Sequence, residues 1–143
     1  MSHETDLAWA AGFFDGDGSV YIASKAISPR GVRYFGLELS ISQVDPRPLH
    51  KYREMFGGAI SMNPRPIHRD WGKWKAGGKN AAIVLRQLLP YLLSKRGEAE
   101  LALWFAANKS NHKYMSSLHR AEQEAFRDAL MEWHRTDLSE MAA

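Results

Sequence analysis

Nine consecutive residues, Ala10-Ala11-Gly12-Phe13-Phe14-Asp15-Gly16-Asp17-Gly18, constrain this chain more than any other stretch. They read as a short apolar helix and its stop. Asp6 serves as N-cap, and helical spacing from about Leu7 to Asp15 puts Leu7, Ala11 and Phe14 on one face. Ala8, Gly12 and Gly16 recur every four residues, so a second side of the helix carries almost no side chain. A helix stripped in this way can pack with its backbone nearly touching another like it. Gly16 and Gly18 end the helix, and the carboxylates of Asp15 and Asp17 sit at that end. The stretch occurs once in 143 residues, so a symmetric pair of such helices needs a second chain.

The residues that follow set the fold class. Ser19 to Ile27 alternates, with Val20 and Ile22 facing one way and Tyr21, Ala23 and Lys25 the other. Pro29-Arg30-Gly31 reads as a hairpin turn. A second strand runs from about Val32 to Gln43. Phe35, Leu37, Leu39 and Ile41 share one parity, and Tyr34, Gly36, Glu38, Ser40 and Ser42 share the other, as in a hairpin with one solvated face. Asp45-Pro46 opens a helix over about Pro46 to Met55, which Gly57-Gly58 stops. Ala59 to Arg65 and Arg69 to Ala76 form a second, irregular hairpin around Pro64 and Pro66. Helices follow over Asn80 to Tyr91 (apolar at Ala82, Leu85, Leu88 and Leu89), Glu98 to Asn108, and Ser117 to Asp137. This order predicts a single α+β domain over residues 1–143, with helices on one face of an antiparallel sheet and the other face open.

Composition narrows the function classes. No apolar run is long enough for a membrane span, and the polar start Met1-Ser2-His3-Glu4-Thr5-Asp6 is unlike a signal peptide. With no cysteine there is no disulfide, thiol nucleophile or cysteine-held zinc. The expected location is cytoplasmic, organellar or nucleoid-associated, not secreted, with no membrane partner. A formal net charge of +3 is mild, but its distribution is not. Between Lys25 and Lys79, eleven lysines and arginines face only Glu38, Asp45, Glu54 and Asp70, which suits a polyanion.

Leu7 to Ser19 resembles the signature of the LAGLIDADG homing endonucleases, with Ala10 in place of the leucine of the family name. The likeness extends to Ser40-Ile41-Ser42-Gln43 and to Pro90-Tyr91-Leu92-Leu93-Ser94-Lys95, and covers about Leu7 to Asn108. It implies the αββαββα fold: a curved four-stranded antiparallel sheet with helices on one face, plus C-terminal helices. It implies a single-motif, homodimeric enzyme that hydrolyses both strands of a long pseudo-palindromic DNA site and leaves short 3′ overhangs.

Site roles follow from the same likeness. Asp17 is implied as the metal-coordinating acid, with the Gly16 carbonyl assisting. Gln43 orients the nucleophilic water. Lys95, with Arg96 as a competing neighbour, tunes that water or steadies the pentavalent phosphate, and Arg47 supports the pocket. Ala8, Ala11, Gly12, Asp15 and Gly16 are the expected dimer contact, with Asp15 bracing the helix end or that contact and not binding metal. Hard oxygen ligands favour Mg²⁺, with Mn²⁺ or Ca²⁺ able to substitute for binding. Pairing would bring two copies of Asp17 together, and close carboxylates repel unless cations lie beside them.

The residues also permit plainer readings. A calcium loop from Asp15 would need glycine and glutamate where Val20 and Ala26 stand. The polar strand face could be only a solvated surface. Read instead as DNA-contacting, it offers Tyr21, Lys25, Arg30, Arg33, Tyr34, Glu38, Ser40, Ser61, Asn63, Arg65, His68, Arg69, Trp71, Lys73 and Lys75, a mixture able to read major-groove edges. Trp71 and Trp74 have opposite parity, which predicts Trp71 on the open side and Trp74 buried. Phe105, Trp104 and Trp133 are expected in the core, and His50, His112, His119 and His134 at the surface or an interface. The rival function is a catalytically silent binder of the same fold, an RNA maturase or a DNA-binding regulator.

Overall fold

The structure, a computed structural model, describes residues 3–24, 35–63, 71–108 and 117–135, the side chains of residues 117–120 excepted. Lys25, Arg30, Arg33, Tyr34, Arg65, His68, Arg69 and His112 lie outside the described residues, as do the two expected turns and the His119 side chain. The elements run α1 (His3–Asp17), β1 (Gly18–Ser24), β2 (Phe35–Gln43), α2 (Arg47–Phe56), β3 (Ala59–Asn63), β4 (Trp71–Gly77), α3 (Gly78–Leu88), α4 (Arg96–Asn108) and α5 (Ser117–Arg135). This is the expected α+β order.

The strands form one antiparallel sheet in the order β1-β2-β4-β3, so the two hairpins meet through β2 and β4. Strand parity then divides the residues. Val20, Ile22, Phe35, Leu37, Leu39, Ile41, Trp74 and Ala76 are buried toward the helices. On the opposite face the register aligns Ser19, Ser40, Lys75 and Ala59 in one row, and Ser42, Lys73 and Ser61 in the next. Tyr21 stands across from Glu38, which pairs with Gly77 on its other side. Trp71 is half-exposed on this open face and Trp74 is fully buried, as parity requires.

Helix α1 presses Leu7, Ala10, Ala11 and Phe14 into the core. It starts earlier than expected, at His3, so Asp6 lies in the first turn and not at the N-cap. There it pairs with Lys51 of α2 at 3.1 Å, and the same ammonium sits 4.3 Å from the centre of the Trp9 ring. Gly18 follows because the Phe14 ring occupies the place where a β-carbon would stand. Tyr52 of α2 donates its hydroxyl to the Ala10 carbonyl, fixing α2 against α1.

Helix α2 stops at Gly57 and Gly58, both in the left-handed region at φ of 73° and 87°. The buried Trp74 indole donates to the Gly57 carbonyl at 2.8 Å, and the Asn80 amide donates to that of Phe56 at 3.2 Å. These partners satisfy carbonyls that a helix end leaves without intrahelical donors. The third helix ends sooner than expected, at Leu88, and passes into a 3₁₀ turn, Leu89–Tyr91. Pro90 supplies no N–H for a further α-helical bond.

Trp104 and Trp133 correct the expectation for the C-terminal helices. Phe105 is buried, but Trp104 is 68% exposed, on the flank of α4 that also carries Arg96 and Glu100. The small residues Ala99 and Ala102 take the core positions instead. Trp133 is 44% exposed, with part of its ring closing over Gly97, where it fills the β-carbon position. Among the described side chains of α5, Leu130 and Gln123 are the ones that pack deeply. No helix among the described residues is long and apolar enough to cross a membrane.

Candidate functional site

The site grows from the end of α1. Residue 43 continues the odd-numbered parity of Phe35 to Ile41, so the Gln43 side chain points to the helix side of the sheet just past the last apolar position. Asp17 is the last residue of α1. The two meet: the Gln43 amide donates to Asp17 Oδ2 at 2.8 Å. That amide leaves the remaining lone pairs of an exposed carboxylate open to other partners. The C-terminal end of a helix disfavours negative charge, so a carboxylate here gains from a cation.

Asp15 faces a different partner. Its Oδ2 accepts the Leu93 N–H at 2.8 Å, its Oδ1 the Lys95 N–H at 3.0 Å. Its own carbonyl accepts Lys95 Nζ at 2.8 Å and Ser94 Oγ at 3.3 Å. Asp15 therefore clamps the segment that carries Lys95 against the end of α1. The Lys95 ammonium thus sits at the helix end, two residues from Asp17, where the dipole favours it. Arg96, the competing neighbour, turns to Glu100 at 3.3 Å instead. Burial first, and then the Asp15 carboxylate, push the nearby Tyr52 phenol above the ordinary tyrosine range.

Arg47 is not brought to Asp17. Its guanidinium lies on Asp45, with Nη2 2.6 Å and Nε 3.0 Å from Asp45 Oδ2. The hydrogen bond from the Arg47 side chain, then that from its backbone N–H, lower the Asp45 carboxyl to about 2. Asp45 Oδ1 accepts the backbone N–H of Arg47 at 3.0 Å, so it caps the start of α2 from one position further out than the assigned boundary.

The small-residue flank of α1 divides differently from expectation. Ala8, Gly12 and Gly16 are exposed, and a β-carbon added at Gly12 or Gly16 would meet nothing within 4 Å. Nothing within the described protomer accounts for these glycines. Ala11 is a correction: it is fully buried in the protomer's own core beside Leu7 and Phe14, and has no surface to give a partner. Missed by the sequence reading were Trp9 and Phe13, half-buried on the same helix and stacked with centroids 5.5 Å apart. Their four-residue spacing beside Ala8 and Gly12 was the signal.

On the open face, Tyr21, Glu38, Ser61, Asn63, Trp71, Lys73 and Lys75 stand where parity put them. Ser40 corrects the expectation of a DNA contact: it is 6% exposed, and its hydroxyl hydrogen-bonds Tyr21. Among the described residues, no group of three or more histidine or carboxylate side chains converges in a metal cage.

No family sequence model and no curated protein sequence matches the chain. Solved structures do. The homing endonuclease I-CvuI, in complex with its target in the presence of calcium, superposes with a TM-score of 0.74 at 24% identity, over 89% of this chain and 80% of that one. The archaeal intron-encoded homing endonuclease I-Vdi141I, complexed with DNA, gives 0.76 at 15% identity, over 92% and 85%. The fold is that of the LAGLIDADG homing endonucleases. I-SmaMI, a LAGLIDADG homing endonuclease also solved on cleaved DNA, gives 0.71 at 20% identity when bound to uncleavable DNA. In that pair the chain spans 86% of itself and only 44% of I-SmaMI. The LAGLIDADG fold inferred from Leu7 to Asn108 is thus present in three dimensions.

Proposed function

We propose that the chain is one protomer of a homodimeric, divalent-metal-dependent DNA endonuclease that cuts both strands of a long pseudo-palindromic site. The observation that carries this reading is the contact between Asp17 and Gln43. Residues 26 positions apart are delivered by a helix and a strand to one point, as a carboxylate and an amide suited to a metal and a water. Lys95 adds a cation at the same helix end.

The donor set fits a hard divalent ion. Asp17 and the Gly16 carbonyl offer oxygen only, and Mg²⁺ accepts few protein ligands, leaving the rest to water and phosphate oxygens. Bound there, the ion would acidify a water and draw charge from the phosphate. Gln43 would orient that water while holding Asp17. Lys95 would balance charge on the phosphate, and Arg47, at the exposed start of α2, would meet the DNA backbone close by. Two protomers pairing along Ala8, Gly12 and Gly16 would set two Asp17 carboxylates at the centre, one for each strand. The unmatched part of I-SmaMI, more than half of it, leaves room for a second such unit and supports this pairing. The open sheet faces, with Lys73 and Lys75, would lie in the major groove of each half-site. Cuts made by two such centres across the minor groove would leave short 3′ overhangs.

The test is a selection of cleavable sites from a randomised duplex library with Mg²⁺, run beside Asp17→Asn. The expected result is a palindromic consensus cut by the wild type, while Asp17→Asn binds the same sites without cutting. Normal cleavage by Asp17→Asn would overturn the mechanism. Binding of DNA or structured intron RNA with no cutting by the wild type would assign the chain to the silent binders.

A further inference from the structure

Lys73 and Lys75 of β4 stand on the open face of the sheet, opposite in parity to the buried Trp74. Register fixes their neighbours. Lys73 lies between Ser42 of β2 and Ser61 of β3, and Lys75 between Ser40 and Ala59. Each lysine thus rises from an interior strand with only a hydroxyl or a methyl group on either flank. Among the described residues, neither ammonium makes a hydrogen bond or ion pair. Strand β1 pairs with β2 only as far as Ile41, so the sheet is three strands wide at the Lys73 row, with β4 in the middle. Three strands at a spacing of about 4.8 Å span roughly 10 Å, which fits a major groove about 12 Å wide. Phosphates line the walls of that groove and base edges its floor, so the middle strand faces the bases.

An ammonium offers donors only. Guanine is the base whose major-groove edge presents two adjoining acceptors, N7 and O6. Adenine sets an amino donor beside N7, cytosine presents an amino donor, and thymine sets a methyl group beside O4. Spacing then links the two lysines to the duplex. Residues i and i+2 of a strand lie about 6.7 Å apart, and two base-pair steps of ~3.4 Å cover the same length. Lys73 and Lys75 are therefore in phase with two base pairs that have one pair between them. We infer that Lys73 and Lys75 are specificity-determining residues that select G·C pairs at two positions of each half-site, separated by one base pair. The inference rests on the proposed DNA-binding function. Lys73 pairs with Ser42, next to Gln43, whereas Lys75 pairs with Ser40, further along β2. Lys73 accordingly reads the guanine nearer the cut.

The test is binding selection from a randomised duplex library in Ca²⁺, with the wild type, Lys73→Met and Lys75→Met compared by sequencing the bound pools. Methionine keeps most of the stem and removes the charge. The wild type should enrich G·C at two positions of each half-site with one pair between them. Lys73→Met should relax the inner position alone by roughly 5- to 150-fold, and Lys75→Met the outer one to a like degree. A lysine held on a phosphate behaves differently, because its loss weakens binding to every sequence evenly. Even weakening with the consensus intact would therefore sink this inference alone. So would a different spacing of the two positions, or another base pair where the variants act. A wild type that enriches no consensus at all overturns the proposed function and this inference together.

Discussion

Tyrosine ionisation offers a direct probe of single residues in this fold. Burial, and then the hydrogen bond to Glu38, hold the Tyr21 phenol up at about 12, and burial raises that of Tyr52 further. A group whose pKa is raised on folding gives stability that is complete below its unfolded value, near 10 for tyrosine, and is lost as pH rises toward the folded value. Urea midpoints should therefore hold to about pH 10 and then fall through pH 12, and Tyr21→Phe should make that fall shallower. An unchanged alkaline slope in the variant would remove Tyr21 from the account. How legible each residue was depended on what fixes it. Gln43 entered through the family likeness, and strand parity gives its placement a physical reason by aiming it at the helix side, beyond Ile41. Arg47 could not be placed in the same way, because a carboxylate two residues away competes for its guanidinium, and alternation says nothing about that rotamer. Ala11 was a different difficulty: helical spacing already set it beside Leu7 and Phe14, apart from Ala8 and Gly12, and its burial bears out that spacing against its place in the expected dimer contact.

Between elements, the docking of α5 on α4 depends on an absent side chain. The Trp133 ring fills the place of a β-carbon at Gly97, and His134 reaches Glu98 at 2.9 Å, while Leu130 is buried nearer the middle of α5. Gly97→Ala should force the indole off α4 and cost about 1–3 kcal/mol, the usual penalty of overpacking. A lowered urea midpoint would report it, and an unchanged midpoint would show that α5 docks without Trp133. The hairpins and helix order could be read because alternating and helical periods differ sharply across Gly18, Asp45 and Gly77. Helix α4 could not be oriented from its sequence. Alanines line its buried side while a tryptophan stands outside, so hydrophobicity and burial part company there.

For the whole molecule, the exposed glycine flank of α1 predicts self-association. Gly12→Leu has open space around it in the protomer, so the variant should fold with normal helicity yet sediment near the chain's 16.2 kDa. The wild type should sediment at twice that mass, and a Gly12→Leu species that stayed dimeric would place the contact elsewhere. The clamp of Asp15 on Leu93 and Lys95 has a consequence in time. Its hydrogen bonds to Leu93 and Lys95 span 78 and 80 residues, so seating Lys95 closes a long loop. Contacts of that separation are costly to form early. On the ribosome, Asp15 emerges before Leu93 and Lys95, so this clamp closes only once the chain beyond Lys95 has left the exit tunnel. A chain that stops short of Leu93 carries the acidic end of α1 without the backbone donors that hold Asp15.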